Sequence, residues 1–310
     1  MTGVGRMSRL EKVAMSEKPD NALMRFLRDW SVPLLYLIVL VVIYLRFGFL
    51  FQFTLGVVWL AVIPIAVIPI AAYVGKSSRE FLKNSVFFVT LLLSYEALQG
   101  VTGALINSGS VVSLANVDRS MFGFASALQN AFASPSVTLV STVFYGLHVF
   151  LIIAAIILFW FTNRMIYRGY AYSMVLTSYL ALITFIVFPT SPPWFTGAAQ
   201  NLLSAGNALL PSALQGLQQA LLAIESDKFA AFPSLHAAYV VLFTVYALRL
   251  SRKLGLVVLV IACGVFFSTI YLGQHYVIDL VGGIIYSLAA VAVVDKLTAT
   301  FFRQQLPRVR

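Results

Sequence analysis

Residues 254–272 read LGLVVLVIACGVFFSTIYL, a run without a single charge. About 20 apolar residues in a helix span the ~30 Å hydrocarbon core of a bilayer. Backbone groups in lipid must satisfy one another, so this run is a transmembrane helix. Similar runs lie at about 32–50, 53–74, 85–105, 138–161, 170–188, 233–250 and 276–295. The fold class that follows is all-α: a polytopic transmembrane helix bundle of about eight spans. The runs are continuous and do not alternate every second residue, which argues against an outer-membrane barrel. Pro64 and Pro69, five apart in the second run, predict a kinked helix there.

Composition agrees. Of 310 residues, 60% are hydrophobic and 10% charged, with mean hydropathy +0.92. Soluble domains carry roughly 25% charged residues, so a soluble globular enzyme is excluded, and so is a disordered chain. The single cysteine, Cys263, lies within an apolar run, so no intrachain disulfide forms. Residues 1–30 are polar, without the apolar core and cleavage site of a signal peptide, and read as a cytoplasmic tail.

Basic residues orient the bundle. With both termini cytoplasmic and eight spans alternating, 18 of the 21 Lys and Arg residues fall inside. Arg46, Arg119 and Lys228 alone lie near or beyond the outer face. The net charge of +10 is thus a topology signal with some attraction to anionic lipid, and nucleic acid is not required as a partner. Two outer segments are long, about 106–137 and 189–232, and segments of that length usually carry function or their own structure. Within the second, residues 198–224 are amphipathic and broken at Pro211, which predicts interfacial helices on the outer leaflet. Their sharper reading is a lid for lipid access.

Ionisable groups near a membrane are costly and therefore informative. His236 begins the sixth span and His275 lies just outside the eighth, both at the outer face, while His148 sits about halfway along the fourth. Asp279 follows His275 by four residues, a spacing that places a carboxylate beside one imidazole nitrogen and leaves the other basic. Such a histidine can attack phosphorus. His236 closes the run Phe232-Pro233-Ser234-Leu235-His236. There a helix start and the Ser234 hydroxyl offer an anion site, and a protonated imidazole can supply a leaving oxygen with its proton.

Pro233-Ser234-Leu235-His236 and His275-Tyr276-Val277-Ile278-Asp279 resemble the second and third signature motifs of the type 2 phosphatidic acid phosphatase superfamily. Phe188-Pro189-Thr190-Ser191-Pro192-Pro193-Trp194 resembles the inositol phosphorylceramide synthase (aureobasidin-resistance) branch, as do Asp118-Arg119 with Phe122-Gly123, and Tyr145 through His148. The resemblance covers about residues 116–285. It implies a six-helix catalytic core at 85–297, preceded by a cytoplasmic tail (1–30) and two additional transmembrane helices (31–84), and followed by a basic cytoplasmic tail (298–310). It also implies roles: His275 as the nucleophile that forms a phosphohistidine, Asp279 as its partner and His236 as general acid.

The family's first motif supplies a Lys and an Arg to the phosphate, and its third opens with Ser-Arg. Here Pro189 to Trp194 holds no base, and Ser268 is followed by Thr269. Arg119 and Lys228 are the substitutes expected to neutralise phosphate. Ser234, His148, Trp194, Gln274 and Tyr276 complete the expected substrate contacts. Glu96, midway along the third span, needs a proton or a partner such as Arg46 or His148.

The function that follows is an integral-membrane lipid phosphotransferase or phosphatase, with its active site on the extracytoplasmic face. Its partners are a lipid phosphate substrate and a lipid or polyol acceptor; no metal and no cofactor are expected. Water as acceptor makes it a lipid phosphate or polyprenyl diphosphate phosphatase. A transporter using the histidines as proton relays is the alternative from another class. It predicts ionisable groups spread through membrane depth and internal repeats, neither of which this sequence displays. A purely structural scaffold has no use for the two histidine motifs together.

Overall fold

The computed structural model describes Phe88 and residues 111–121, 123–212, 214–216, 219 and 229–305. The first two expected spans with Pro64 and Pro69, nearly all of the third, and the residues Arg46, Glu96 and Lys228 lie outside the described residues. In chain order the described elements are β1 (Val112–Ser113), α1 (Ala115–Met121), α2 (Phe124–Phe132), α3 (Pro135–Thr162) and α4 (Arg164–Val187). They continue with β2 (Thr190–Ser191), α5 (Leu202–Ala208), α6 (Leu235–Leu250), α7 (Arg252–Tyr271) and α8 (Val277–Gln305). Helices α3, α4, α7 and the Val277–Ala299 part of α8 are long and apolar enough to cross a membrane, and α6 is a shorter apolar helix. The chain is an all-α membrane helix bundle.

The observed helices follow the apolar runs, and caps set where α3 and α4 begin. Ser134 caps α3 through Val137 N (3.2 Å), with Pro135 at the first helical position, where a missing N–H costs nothing. Asn163 serves two helices. Its N–H donates to Phe159 at the end of α3, while its Oδ1 accepts the Met165 and Ile166 amides of α4 at 2.9 and 3.1 Å. Helix α8 runs on to Gln305, into the stretch read as a tail, because leaving the apolar region does not itself end a helix.

Association of helices in lipid depends on close packing and on hydrogen bonds between them. Phe159, Tyr170, Leu242 and Tyr246 form the buried centre where α3, α4 and α6 meet. Ser173 and Ser178 of α4 hydrogen-bond the Tyr246 and Tyr239 hydroxyls of α6, both at 2.8 Å, and Thr184 meets Tyr286 of α8 at 2.7 Å. Such bonds average about 0.6 kcal/mol each, so they set the register of the helices more than their total stability. Val187, Val260 and Phe161 point outward, as lipid-facing side chains should.

One feature departs from an all-helical reading. β1 pairs in parallel with β2, Val112 opposite Thr190 and Ser113 opposite Ser191, and Thr190 bridges Ala230. Proline on either side of Thr190-Ser191 keeps this stretch extended, so its backbone groups pair across chain segments. Within 198–224 the described residues form α5 and further helical positions beyond Pro211. Gly282 and Gly283 of α8 pass so close to the Phe232–Ser234 turn that a methyl at either position collides with the Phe232 ring or the Ser234 carbonyl.

Candidate active site

Three segments converge at one end of α6. Ser234 caps the helix, its Oγ accepting the Ala237 amide at 3.4 Å, and its own N–H donates to the Asp279 carbonyl at 2.9 Å. Ser234 is fully buried, so one first-turn amide that the sequence offered to an anion is engaged by the helix's own cap. His236, the second residue of α6, faces His275 across a 3.4 Å contact between His236 Nδ1 and His275 Nε2. The two rings lie 5.4 Å apart, centroid to centroid.

His275 stands before α8, so its four-residue spacing from Asp279 is bridged partly by the turn and not by one turn of helix. Helix α8 opens only at Val277, because the Gly273–Tyr276 stretch turns the chain back from α7. Gly273 has φ +77°, and a side chain there collides with the Gln200 carbonyl. The amides of Gln274 and His275 both donate to the Thr269 carbonyl, at 3.0 and 3.1 Å. Asp279 Oδ2 still reaches His275 Nδ1 at 3.5 Å, and it accepts the Tyr276 amide at 2.8 Å. The nearer partner of Nδ1 is the carbonyl oxygen of Ala231, at 3.1 Å. That oxygen can only accept, so Nδ1 carries the proton and Nε2 presents its lone pair toward His236.

His148 joins this pair. Its ring is 4.1 Å from that of His236, and Tyr145 stacks on His236 at 4.4 Å. His148 Nδ1 lies 2.8 Å from the Tyr145 carbonyl. His148 lies about halfway along α3, as its place in the fourth apolar run predicts, and the middle of α3 packs against the start of α6. Helix α3 is displaced along its axis, so its middle is level with the start of α6. Some 13 residues separate His148 from Pro135, about 20 Å of helix rise.

The remaining expected residues divide. Trp194 is half-buried and its amide donates to the Gly273 carbonyl at 3.1 Å, bracing the turn that carries His275. Gln274 Nε2 contacts Asn201 Oδ1 at 3.1 Å, linking the turn to the start of α5. Tyr276 is buried beside His275, with its hydroxyl on Thr196 Oγ1 at 2.6 Å. Burial pushes the Tyr276 phenol up, with the Thr196 bond pulling the other way. Arg119 is exposed on α1, and Lys228 lies outside the described residues.

Two residues escaped the sequence reading. Thr190 is fully buried and fastens the segment that supplies the Ala231 carbonyl. It accepts the Ala231 amide on its carbonyl (3.2 Å) and the Phe232 amide on its hydroxyl (2.7 Å), and donates its own amide to Phe229 (2.9 Å). Asp118 is 4% exposed and accepts the Val277 amide at the start of α8. Burial pushes the Asp118 carboxyl up, against the opposing pull of the Val277 and Ile278 amides. Its one signal in the sequence was its place in the Asp118-Arg119 pair. Among the described residues no group of three His, Cys, Asp or Glu side chains is arranged to hold a metal ion.

Residues 112–293 match the PAP2 superfamily. The phosphoinositol dihydroceramide synthase of Bacteroides thetaiotaomicron is 24% identical over 233 residues, which is 68% of this chain and 76% of that protein. The inositol phosphorylceramide synthase of Candida albicans is 28% identical over 149 residues, 44% of this chain and 31% of the longer fungal protein. No solved structure matches the chain significantly. With more than half its length inside the family match, and with its apolar helices, this chain belongs to the PAP2 superfamily and is an integral-membrane phosphoryl-transfer enzyme.

Proposed function

We propose that the enzyme transfers a phosphate or phospho-head-group between lipid substrates through a phosphohistidine on His275. The observation that carries this reading is the 3.4 Å approach of His275 Nε2 to His236 Nδ1, with Ala231 and Asp279 on the far side of the His275 ring. A phosphoryl group entering between the imidazoles replaces that contact. His275 Nε2 gives its lone pair to phosphorus, forming the N–P bond as the P–O bond to the leaving alcohol breaks. His236, protonated, passes its proton to that oxygen. Positive charge gathering on the His275 ring is stabilised by Asp279, which lies on the Nδ1 side.

The second half reverses the roles. His236, now neutral, takes the proton of an acceptor hydroxyl, whose oxygen attacks phosphorus as the N–P bond breaks. Both named relatives are synthases, which favours a lipid or polyol hydroxyl over water as acceptor. His148 and Tyr145 are proposed to keep the His236 ring in its reactive orientation. Ser234, Trp194 and Gln274 shape the pocket around the phosphate, with Arg119 and Lys228 as the basic residues that balance its charge.

The active site is proposed to face away from the cytoplasm, with both termini inside. Arg164, Arg168, Arg249, Arg252 and Lys253 all lie at the helix ends opposite the histidine turn, as positive-inside orientation requires. On this reading residues 85–297 form the catalytic core, 31–84 two further spans, and 1–30 and 298–310 cytoplasmic tails.

The test is turnover by purified enzyme given phosphatidic acid, polyprenyl diphosphate, or phosphatidylinositol with an acceptor lipid. A new phosphorylated lipid supports transfer, whereas free phosphate alone assigns hydrolysis. His275→Ala should abolish either product, and persistent turnover overturns the nucleophile assignment. A protein-bound phosphate lost in acid and kept in base supports the phosphoimidazole.

A further inference from the structure

We propose that Asp118 is a positioning residue for His275, gripping the start of α8 from a distant part of the chain so that the imidazole keeps its place against His236. The inference rests on His275 being the nucleophile. Helix α8 opens after Tyr276, a residue whose side chain cannot accept first-turn amides. Two carboxylates supply what is missing. Asp279 Oδ2 takes the Tyr276 amide at 2.8 Å, and Asp118 Oδ1 takes the Val277 amide at 3.1 Å from 159 residues away.

Burying a carboxylate is costly unless it is hydrogen-bonded, and a helix N-terminus is where negative charge is best tolerated. Asp118 meets both conditions at the start of α8, where its Oδ1 accepts the Val277 amide. The turn that carries His275 is therefore held at two ends. Thr269 of α7 receives the Gln274 and His275 amides, and Asp118 receives the first amide of α8, two residues after His275. These partners of Asp118 are main-chain groups, so it acts on the imidazole through the backbone.

The experiment compares Asp118→Ala and Asp118→Asn in full-length detergent-solubilised enzyme, using phosphatidylinositol and phosphatidic acid as phosphoryl donors. It reads kcat, KM and the rate of forming acid-labile phosphoenzyme. Misplacing a reacting group by about 1 Å can cost ~10²-fold, so Asp118→Ala should slow phosphoenzyme formation by roughly that factor with KM nearly unchanged. Asn keeps the accepting oxygen, and a neutral hydrogen bond is about half as strong as a charge-assisted one, so Asp118→Asn should return to within about fivefold of wild type. Wild-type rates in Asp118→Ala overturn the proposal, and so does a raised KM at constant kcat, which makes Asp118 a binding group. Asn as slow as Ala also overturns it, because the charge itself is then what matters.

Should Asp118→Ala fail to fold, Val277→Pro removes the donor at a position where proline suits a helix. Slowed phosphoenzyme formation in that variant supports the proposal, and a wild-type rate overturns it. If wild-type enzyme carries no acid-labile phosphate, the nucleophile assignment falls and takes the inference with it. A labelled wild type with an unaffected Asp118→Ala removes the inference alone.

Discussion

The Nδ1 atom of His275 is closer to the backbone carbonyl of Ala231 (3.1 Å) than to the Asp279 carboxylate (3.5 Å). In hydrolases where a carboxylate alone fixes the tautomer of the histidine, changing Asp to Asn costs about 10⁴-fold. Here the Ala231 carbonyl also accepts from Nδ1, so the tautomer keeps an acceptor when Asp279 is changed. Asp279→Asn should therefore lose only the stabilisation of the charged ring, on the order of 10²-fold. Single-turnover formation of phosphoenzyme measures this. A loss as deep as that of His275→Ala shows that Asp279 governs the tautomer after all.

His236 as proton donor makes a prediction about leaving groups. General acid catalysis contributes about 10²–10⁴-fold where the departing oxygen is a poor leaving group. His236→Ala should lose that factor with lipid substrates yet label His275 readily from a phosphate ester whose leaving group needs no proton. Equal losses with both substrates indicate a different role for His236. His148→Phe keeps a ring beside His236 and should cost less than His236→Ala on the lipid substrate.

Hydropathy runs made the long helices α3, α4, α6, α7 and α8 legible, because spanning length is local in sequence. The runs at 138–161 and 170–188 start three and six residues inside α3 and α4, whose exact starts are set by the caps Ser134 and Asn163. The two motif histidines were legible too, each beside a helix start. What was not legible is relative displacement along helix axes. Nothing in α3 says that His148 lies level with the start of α6, since that offset is set by packing such as Thr138 against Tyr271 (2.9 Å). The Ala231 carbonyl was hidden for a different reason: a main-chain oxygen is offered by every residue, and only the fold selects one.

Thr190 tests how that oxygen is selected. Thr190→Ala leaves the Phe232 amide without its acceptor, and an unsatisfied buried donor costs about 1–3 kcal/mol. The variant should melt earlier in detergent and lose activity, while Thr190→Ser keeps the hydroxyl and should recover most of both. A Thr190→Ala protein of wild-type stability and rate means that the hydroxyl does not hold this segment.

Asp118 also predicts a pH dependence of stability. Its carboxyl is held above the ordinary value of 3.8 by burial. A group whose folded value is raised takes up a proton on folding, so its contribution is fully present below the ordinary value and lost as pH rises through the raised one. Relative to Asp118→Asn, wild-type Tm should therefore climb as pH falls toward 3.8. A difference that is flat, or of opposite sign, shows that the amides of α8 outweigh burial.

The seam where Gly282 and Gly283 pass the Phe232–Ser234 turn sets where this enzyme can be altered. Gly283→Ala should force main chains apart and cost about 1–3 kcal/mol, as overpacking does, whereas Ile285→Ala on the outward face should cost far less. Thermal unfolding in detergent separates the two. Efforts to retune the protein for another bilayer or another lipid therefore have a wide outer surface to work with. The narrow crossing of α8 beneath the histidines leaves room for hydrogen and nothing larger.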